Sequence, residues 1–127
     1  MKKLFSFILG AFLVVIASGQ EVAPTVFANW KDKVDLSVDR GLNYLVRSQL
    51  NDGSYPGSYG NSCGIPALAG MAFLSRGHLP TEGPYADSLN KIIDFLIGRQ
   101  NREGLYTGGQ YGSGPMYGHN IATLFLS

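Results

Sequence analysis

Three kinds of side chain in this sequence could do chemistry: a lone thiol, a histidine behind a glycine-rich stretch, and a set of tyrosines. Cys63 stands at the mouth of an apolar segment. A thiol at a helix N-terminus ionises easily and turns nucleophilic, whereas one packed among apolar groups is inert. Free cysteine more often takes the second environment. His119 follows Met116-Tyr117-Gly118 and opens another apolar segment. There it can act as acid, base or ligand, or simply cap and pack. Tyr55, Tyr59, Tyr106, Tyr111 and Tyr117 can line an aromatic pocket suited to cations, or pack over the glycine-rich loops that hold them. The nine acidic residues include no adjacent pair. Paired-carboxylate hydrolysis therefore has no local signature here. Cys63 and His119 lack the further ligands that a tetrahedral zinc site needs. No metal or cofactor is implied.

The elements that must position these residues come from a stretch used twice. Residues 40–55 align without a gap on residues 91–106, an offset of 51 from Arg40 to Lys91. Leu45/Leu96, Gln49/Gln100, Gly53/Gly104 and Tyr55/Tyr106 are identical. Arg40/Lys91, Leu42/Ile93, Tyr44/Phe95 and Asp52/Glu103 keep chemical type. Similarity resumes at an offset of 52, where residues 68–75 lie over 120–127. A period near 50 residues marks a repeat architecture.

Within each copy the periodicity predicts an amphipathic helix and then a wholly apolar one. Val38, Leu42, Leu45 and Val46 recur at helical spacing over about 36–49, with Asp39, Arg40, Asn43 and Arg47 on the other face. Asp35 or Ser37 can cap this helix, and Asn51-Asp52-Gly53 ends it. The second helix starts near Ser62 and has no polar face between 65 and 74, so it is expected to be buried on all sides. Arg76 and Gly77 close it. A third helix spans about 86–100, with Leu89, Ile92, Ile93 and Leu96 as its stripe, and a fourth begins near His119. Gln49 and Gln100 sit where their amides can meet the orphan donors at the start of the following helix. Gly53 and Gly104 permit tight turns over which Tyr55 and Tyr106 can pack.

The first residues read as a leader. Lys2 and Lys3 precede an apolar run at 4–16, and Ala17-Ser18-Gly19 offers small residues for cleavage after Gly19. A membrane-spanning helix needs about 20 apolar residues, more than this run has. The expectation is a secreted or envelope protein: leader 1–19, lead-in 20–34 (more leader or a short helix), then hairpins at 35–77 and 86–127, the second truncated. Without Lys2 and Lys3 the chain carries 8 basic and 9 acidic residues. No basic block is present, so nucleic acid is a poor partner. One cysteine excludes an intrachain disulfide.

Arg40-Gly41, Tyr44-Leu45, Gln49, Gly53 and Tyr55 resemble the "QW" repeat of squalene and oxidosqualene cyclases. The chain is thereby similar to the wider prenyltransferase and squalene cyclase repeat family. The second copy matches through Lys91, Phe95-Leu96, Gln100, Gly104 and Tyr106. Both copies end in tyrosine where the cyclase motif ends in tryptophan, and Ile92 replaces the small residue at Gly41. The resemblance implies an all-α fold, an α/α toroid of helical hairpins of which this is an incomplete N-terminal portion. It implies that the matched residues are structural, and that Cys63, Tyr117 and His119 are candidates for lining the ring's cavity.

The family's catalytic signatures are missing. No Asp-x-Asp-Asp cluster occurs, Cys63 and His119 lie outside any zinc motif of the prenyltransferase type, and Cys63-Gly64-Ile65-Pro66 departs from the thioester sequence Cys-Gly-Glu-Gln. The expected function is a secreted binding or scaffold module with an unknown ligand, for which an apolar one is kept open, and with self-association through exposed inner helices. The alternative is the N-terminal part of a terpenoid cyclase or prenyltransferase-like enzyme. A polysaccharide-active protein is a third reading.

Overall fold

The computed structural model describes residues 24–57, 62–108 and 115–127. They form four α-helices: α1 Pro24–Ser48, α2 Gly64–Ser75, α3 Ala86–Ile97 and α4 Pro115–Leu126. Among the described residues there is no strand, only isolated bridges pairing Leu79 with Glu82 and Gln100 with Tyr106. The fold is all-α. The leader read at 1–19 lies outside the described residues, as do Tyr59 and Tyr111. No described helix is long and apolar enough to cross a membrane.

The chain divides into two compact units, Met1–Leu36 and Ser37–Ser127. In the first, α1 opens at Pro24, whose fixed φ and missing N–H suit a first helical position. Trp30 is exposed there, with Lys33 Nζ 5.8 Å from its ring centroid. Helix α1 thus starts well before the expected residue 36. The capping types at Asp35 and Ser37 suggested a start, but no proline interrupts the chain between 25 and 48, so the helix runs through.

In the second unit, α1 buries Leu42 and partly buries Val38 and Leu45. Val46, read as part of the stripe, lies toward solvent. Helix α2 tolerates Pro66 because its first turn needs no N–H there. It ends in a Schellman motif: the His78 N–H donates to the Phe73 carbonyl (3.2 Å), the Gly77 N–H to that of Leu74 (2.8 Å). Gly77 has a φ of +80°, which favours glycine. Behind this cap, Tyr85 packs on Phe73 at 5.1 Å and on His78 at 4.5 Å.

Helix α3 fully buries Leu89, Ile92 and Leu96. Burying each such side chain is worth about 1.5–3 kcal/mol. It ends at Ile97, short of Gln100, because Arg99 and Gln100 donate to the Leu96 and Ile97 carbonyls in a tightened last turn. Helix α4 begins at Pro115, four residues before His119. The glycines before it read as loop, and a proline at the first helical position went unused as a start signal.

Helix α2 packs against α4 and, less extensively, α3. Two glycines set the approach. A Cβ on Gly70 would clash with the Cε2–Cζ edge of the Phe125 ring, and Gly64 lies beside Gly118. The contact advances in the same direction along both helices, so α2 and α4 run parallel. Neither is buried on all sides. Leu68 on α2 and Met116, Tyr117 and Leu124 on α4 are about half exposed or more.

Candidate functional site

Cys63, Tyr117 and His119 lie at the N-terminal ends of α2 and α4, and Tyr106 meets His119 there. Cys63 is the residue before α2 and is completely buried. Burial pushes its thiol pKa up, against a weaker opposing pull from the Arg99 charge. The packed, protonated thiol is the inert alternative, and the helix end does not activate it. The first turn of α2 is served instead by Ser62, whose Oγ accepts the Gly64 N–H at 3.2 Å.

His119 meets Tyr106, a residue from the other side of the glycine-rich loop. The Tyr106 N–H donates to His119 Nδ1 at 3.3 Å, and the two rings stack at 5.8 Å. A neutral imidazole that accepts at Nδ1 carries its proton on Nε2. The histidine's polar atom therefore holds the loop end onto α4, which is a structural task. Tyr117 lies more than half exposed on α4, beside Gly64. Tyr55 is buried, and its hydroxyl has no hydrogen-bond partner among the described residues. Burial raises its pKa to about 12, so it stays a neutral phenol. Cys63, Tyr117 and His119 do share one end of the helix pair. Their environments offer packing and one backbone hydrogen bond.

The more built feature is the pair of turns. In the first, the Leu50 N–H donates to Ser54 O at 2.9 Å and the Gly53 N–H to Leu50 O at 3.0 Å. In the second, the Asn101 N–H donates to Leu105 O at 2.9 Å and the Gly104 N–H to Asn101 O at 3.0 Å. Each bond recurs 51 residues on. Gly53 and Gly104 have φ of +88° and +84°. Gln49 Nε2 donates to Gly53 O (3.4 Å) and Gln100 Nε2 to Gly104 O (3.1 Å). The glutamines thus donate to turn carbonyls, where the sequence suggested that they accept from the next helix. The reason is supply: Ser62 already serves the start of α2, while the turn carbonyls need a donor.

The turns differ in what lies against them. Gln49 Nε2 also donates to Ser88 O at 3.0 Å, joining the first turn to α3. A Cβ on Gly53 would strike the Lys91 carbonyl and come within 3.1 Å of Phe95 Cβ. Only glycine lets the backbones meet so closely. Ser88 and Phe95 are buried there. Around the contact runs a shallow groove of about 400 Å³, lined by Asn51, Asp52, Lys91, Asp94, Phe95 and Arg99 among others. Asp52 Oδ1 accepts from Ser54 Oγ at 2.6 Å and from the Ser54 N–H at 3.1 Å, which lowers its pKa. The Arg99 guanidinium lies 4.9 Å from the Phe95 ring centroid. A Cβ on Gly104, by contrast, would meet only Gln100 Nε2, at 3.9 Å.

Arg40 is exposed, and Lys91 pairs with Asp87 at 2.7 Å on the surface. Such pairs contribute little. Ser88 was missed by sequence reasoning; its signal was a serine on the buried side of the Leu89-Ile92-Leu96 stripe. Among the described residues, no group of three His, Cys, Asp or Glu side chains could hold a metal ion. Comparison of the chain with protein-family profiles, with curated proteins and with solved structures finds no match.

Proposed function

We propose that this chain is a binding or scaffold module of the α/α-toroid repeat type, exported by its leader and without catalysis in this segment. The observation that carries the reading is the pair of turns: the same hydrogen bonds at an offset of 51, the first turn seated on α3, the first helix of the second hairpin. That is the arrangement expected of hairpins that stack in sequence. The resemblance to prenyltransferase and squalene cyclase repeats belongs to the same proposal.

The chemistry at the helix mouths favours binding over turnover. Cyclisation of a terpenoid begins with a strong acid aimed at an alkene or epoxide. Helices α2 and α4 contain no Asp or Glu, Asp87 and Asp94 are exposed on α3, and Asp52 and Glu103 sit exposed in turns. Met116, Tyr117 and Leu124 instead offer an open apolar surface on α4. An exposed apolar patch commonly marks an interaction site.

The test incubates the full chain with squalene and with oxidosqualene and looks for products. It also titrates 8-anilinonaphthalene-1-sulfonate as an apolar probe. The expected result is no cyclised product, with probe fluorescence that falls in Leu124→Ser. A cyclised product that disappears when one of the carboxylates is replaced would move the protein to the enzymes.

A further inference from the structure

The contact between the first turn and α3 is directional, and both of its halves occur a second time in the chain. The donor half is the turn with Gln49 and Gly53; the acceptor half is the α3 face with Ser88, Lys91 and Phe95. Moving on 51 residues from the donor gives Gln100 and Gly104, a turn of the same geometry where, among the described residues, a Cβ on Gly104 would meet no backbone. Moving back 51 residues from the acceptor gives Ser37, Arg40 and Tyr44 on α1. All three are exposed, Tyr44 by 63%, where its counterpart Phe95 is exposed by 7%. Gly41, the counterpart of fully buried Ile92, has nothing within 4 Å of where a Cβ would stand.

From these two open halves we infer that the chain associates head to tail with copies of itself, the Gln100–Gly104 turn of one copy docking on the Arg40–Tyr44 face of the next. The occupant is a second copy because each open half matches a half already engaged within the chain. Charge fits as well. Asp52 and Lys91 line the engaged groove together, and their counterparts Glu103 and Arg40 keep the opposite signs. A contact between two different surfaces does not close on itself after one pairing, so it produces rings or open filaments, not a symmetric dimer. The inference rests on the two-hairpin reading and is independent of whether the segment catalyses anything.

Two blocked variants test it by sedimentation velocity over a wide concentration range. Tyr44→Glu spoils the acceptor face. Gly104→Asn puts a Cβ where docking leaves no room, using the residue that best tolerates left-handed backbone after glycine. The wild-type chain is expected to form species larger than a dimer. Each variant alone should be at least about tenfold weaker in association. Mixed in equal amounts, the variants should form a single one-to-one dimer, since each retains the half that the other lacks.

Circular dichroism checks that both keep the helical spectrum. If either does not, the exposed substitution Tyr44→Ser takes the place of the first, or Glu103→Arg that of the second. A wild-type chain that stays monomeric overturns the inference, as do variants that associate like wild type, which would place the contact on the apolar α2 and α4 surface. A folded mixture that never dimerises overturns it too. The two-hairpin reading would survive each of these results, because the engaged turn is tested separately by substitution at Gly53.

Discussion

Tyr55 and the two glutamines show how far one side chain's role depends on what lies beside it. The Tyr55 hydroxyl is buried without a partner among the described residues, a state that costs about 1–3 kcal/mol. Tyr55→Phe should therefore raise stability, by about 1 kcal/mol in urea unfolding. The phenol also sets a pH dependence. Its pKa is raised to about 12, so the folded chain holds the proton more tightly than the unfolded chain. Stability should be fully present below pH about 10, the ordinary phenol pKa, and fall as pH climbs toward 12. Absorbance titration should show one late-titrating tyrosine that is absent from Tyr55→Phe. For the glutamines, Gln49 donates both within its turn and across to Ser88, whereas Gln100 donates only within its own exposed turn. Gln49→Ala should cost about 1–2 kcal/mol and Gln100→Ala well under half of that. Equal losses in thermal melts would remove the bridging role of Gln49.

At the scale of elements, α2 and α4 approach through small residues. Gly70→Ala places a methyl group against the Phe125 ring and should destabilise by about 1–3 kcal/mol. Phe125→Leu in the same chain should recover part of that loss by making room; if it adds a further full penalty, the glycine contact is not the limiting one. Periodicity made much of this level legible. The Leu89, Ile92 and Leu96 stripe and the Arg76-Gly77 cap could be read directly, because a single helix face and a left-handed glycine leave local traces. Other features left none. The start of α1 at Pro24 was masked by the capping types at Asp35 and Ser37, and Pro115 was hidden behind glycines. The pairing of Tyr106 with His119 spans 13 residues and a loop, so no spacing rule points to it. The glutamines were legible as a matched pair but not as donors, since an amide carries both functions and only the neighbouring carbonyls decide between them.

At the scale of the whole molecule, the proposed reading is a series of docked hairpins, of which the first turn's contact with α3 is the engaged example. Net charge near zero does little to keep copies apart, and apolar side chains such as Leu68 and Leu124 remain in water. On the proposed function, exposed surfaces carry the activity and no carboxylate serves as a catalytic acid. Glycine substitution in the two turns tests this most directly. Gly53 and Gly104 share left-handed backbone, so Gly→Ala strains both turns alike, by about 1–2 kcal/mol. Only at Gly53 does the added methyl group also strike the backbone of α3. The measurement is urea unfolding of Gly53→Ala and Gly104→Ala at a concentration where sedimentation finds monomer only. The account predicts that Gly53→Ala loses at least about 2 kcal/mol more than Gly104→Ala. Equal losses would mean that the first turn is not seated on α3, and would contradict the sequential docking on which the proposed function stands.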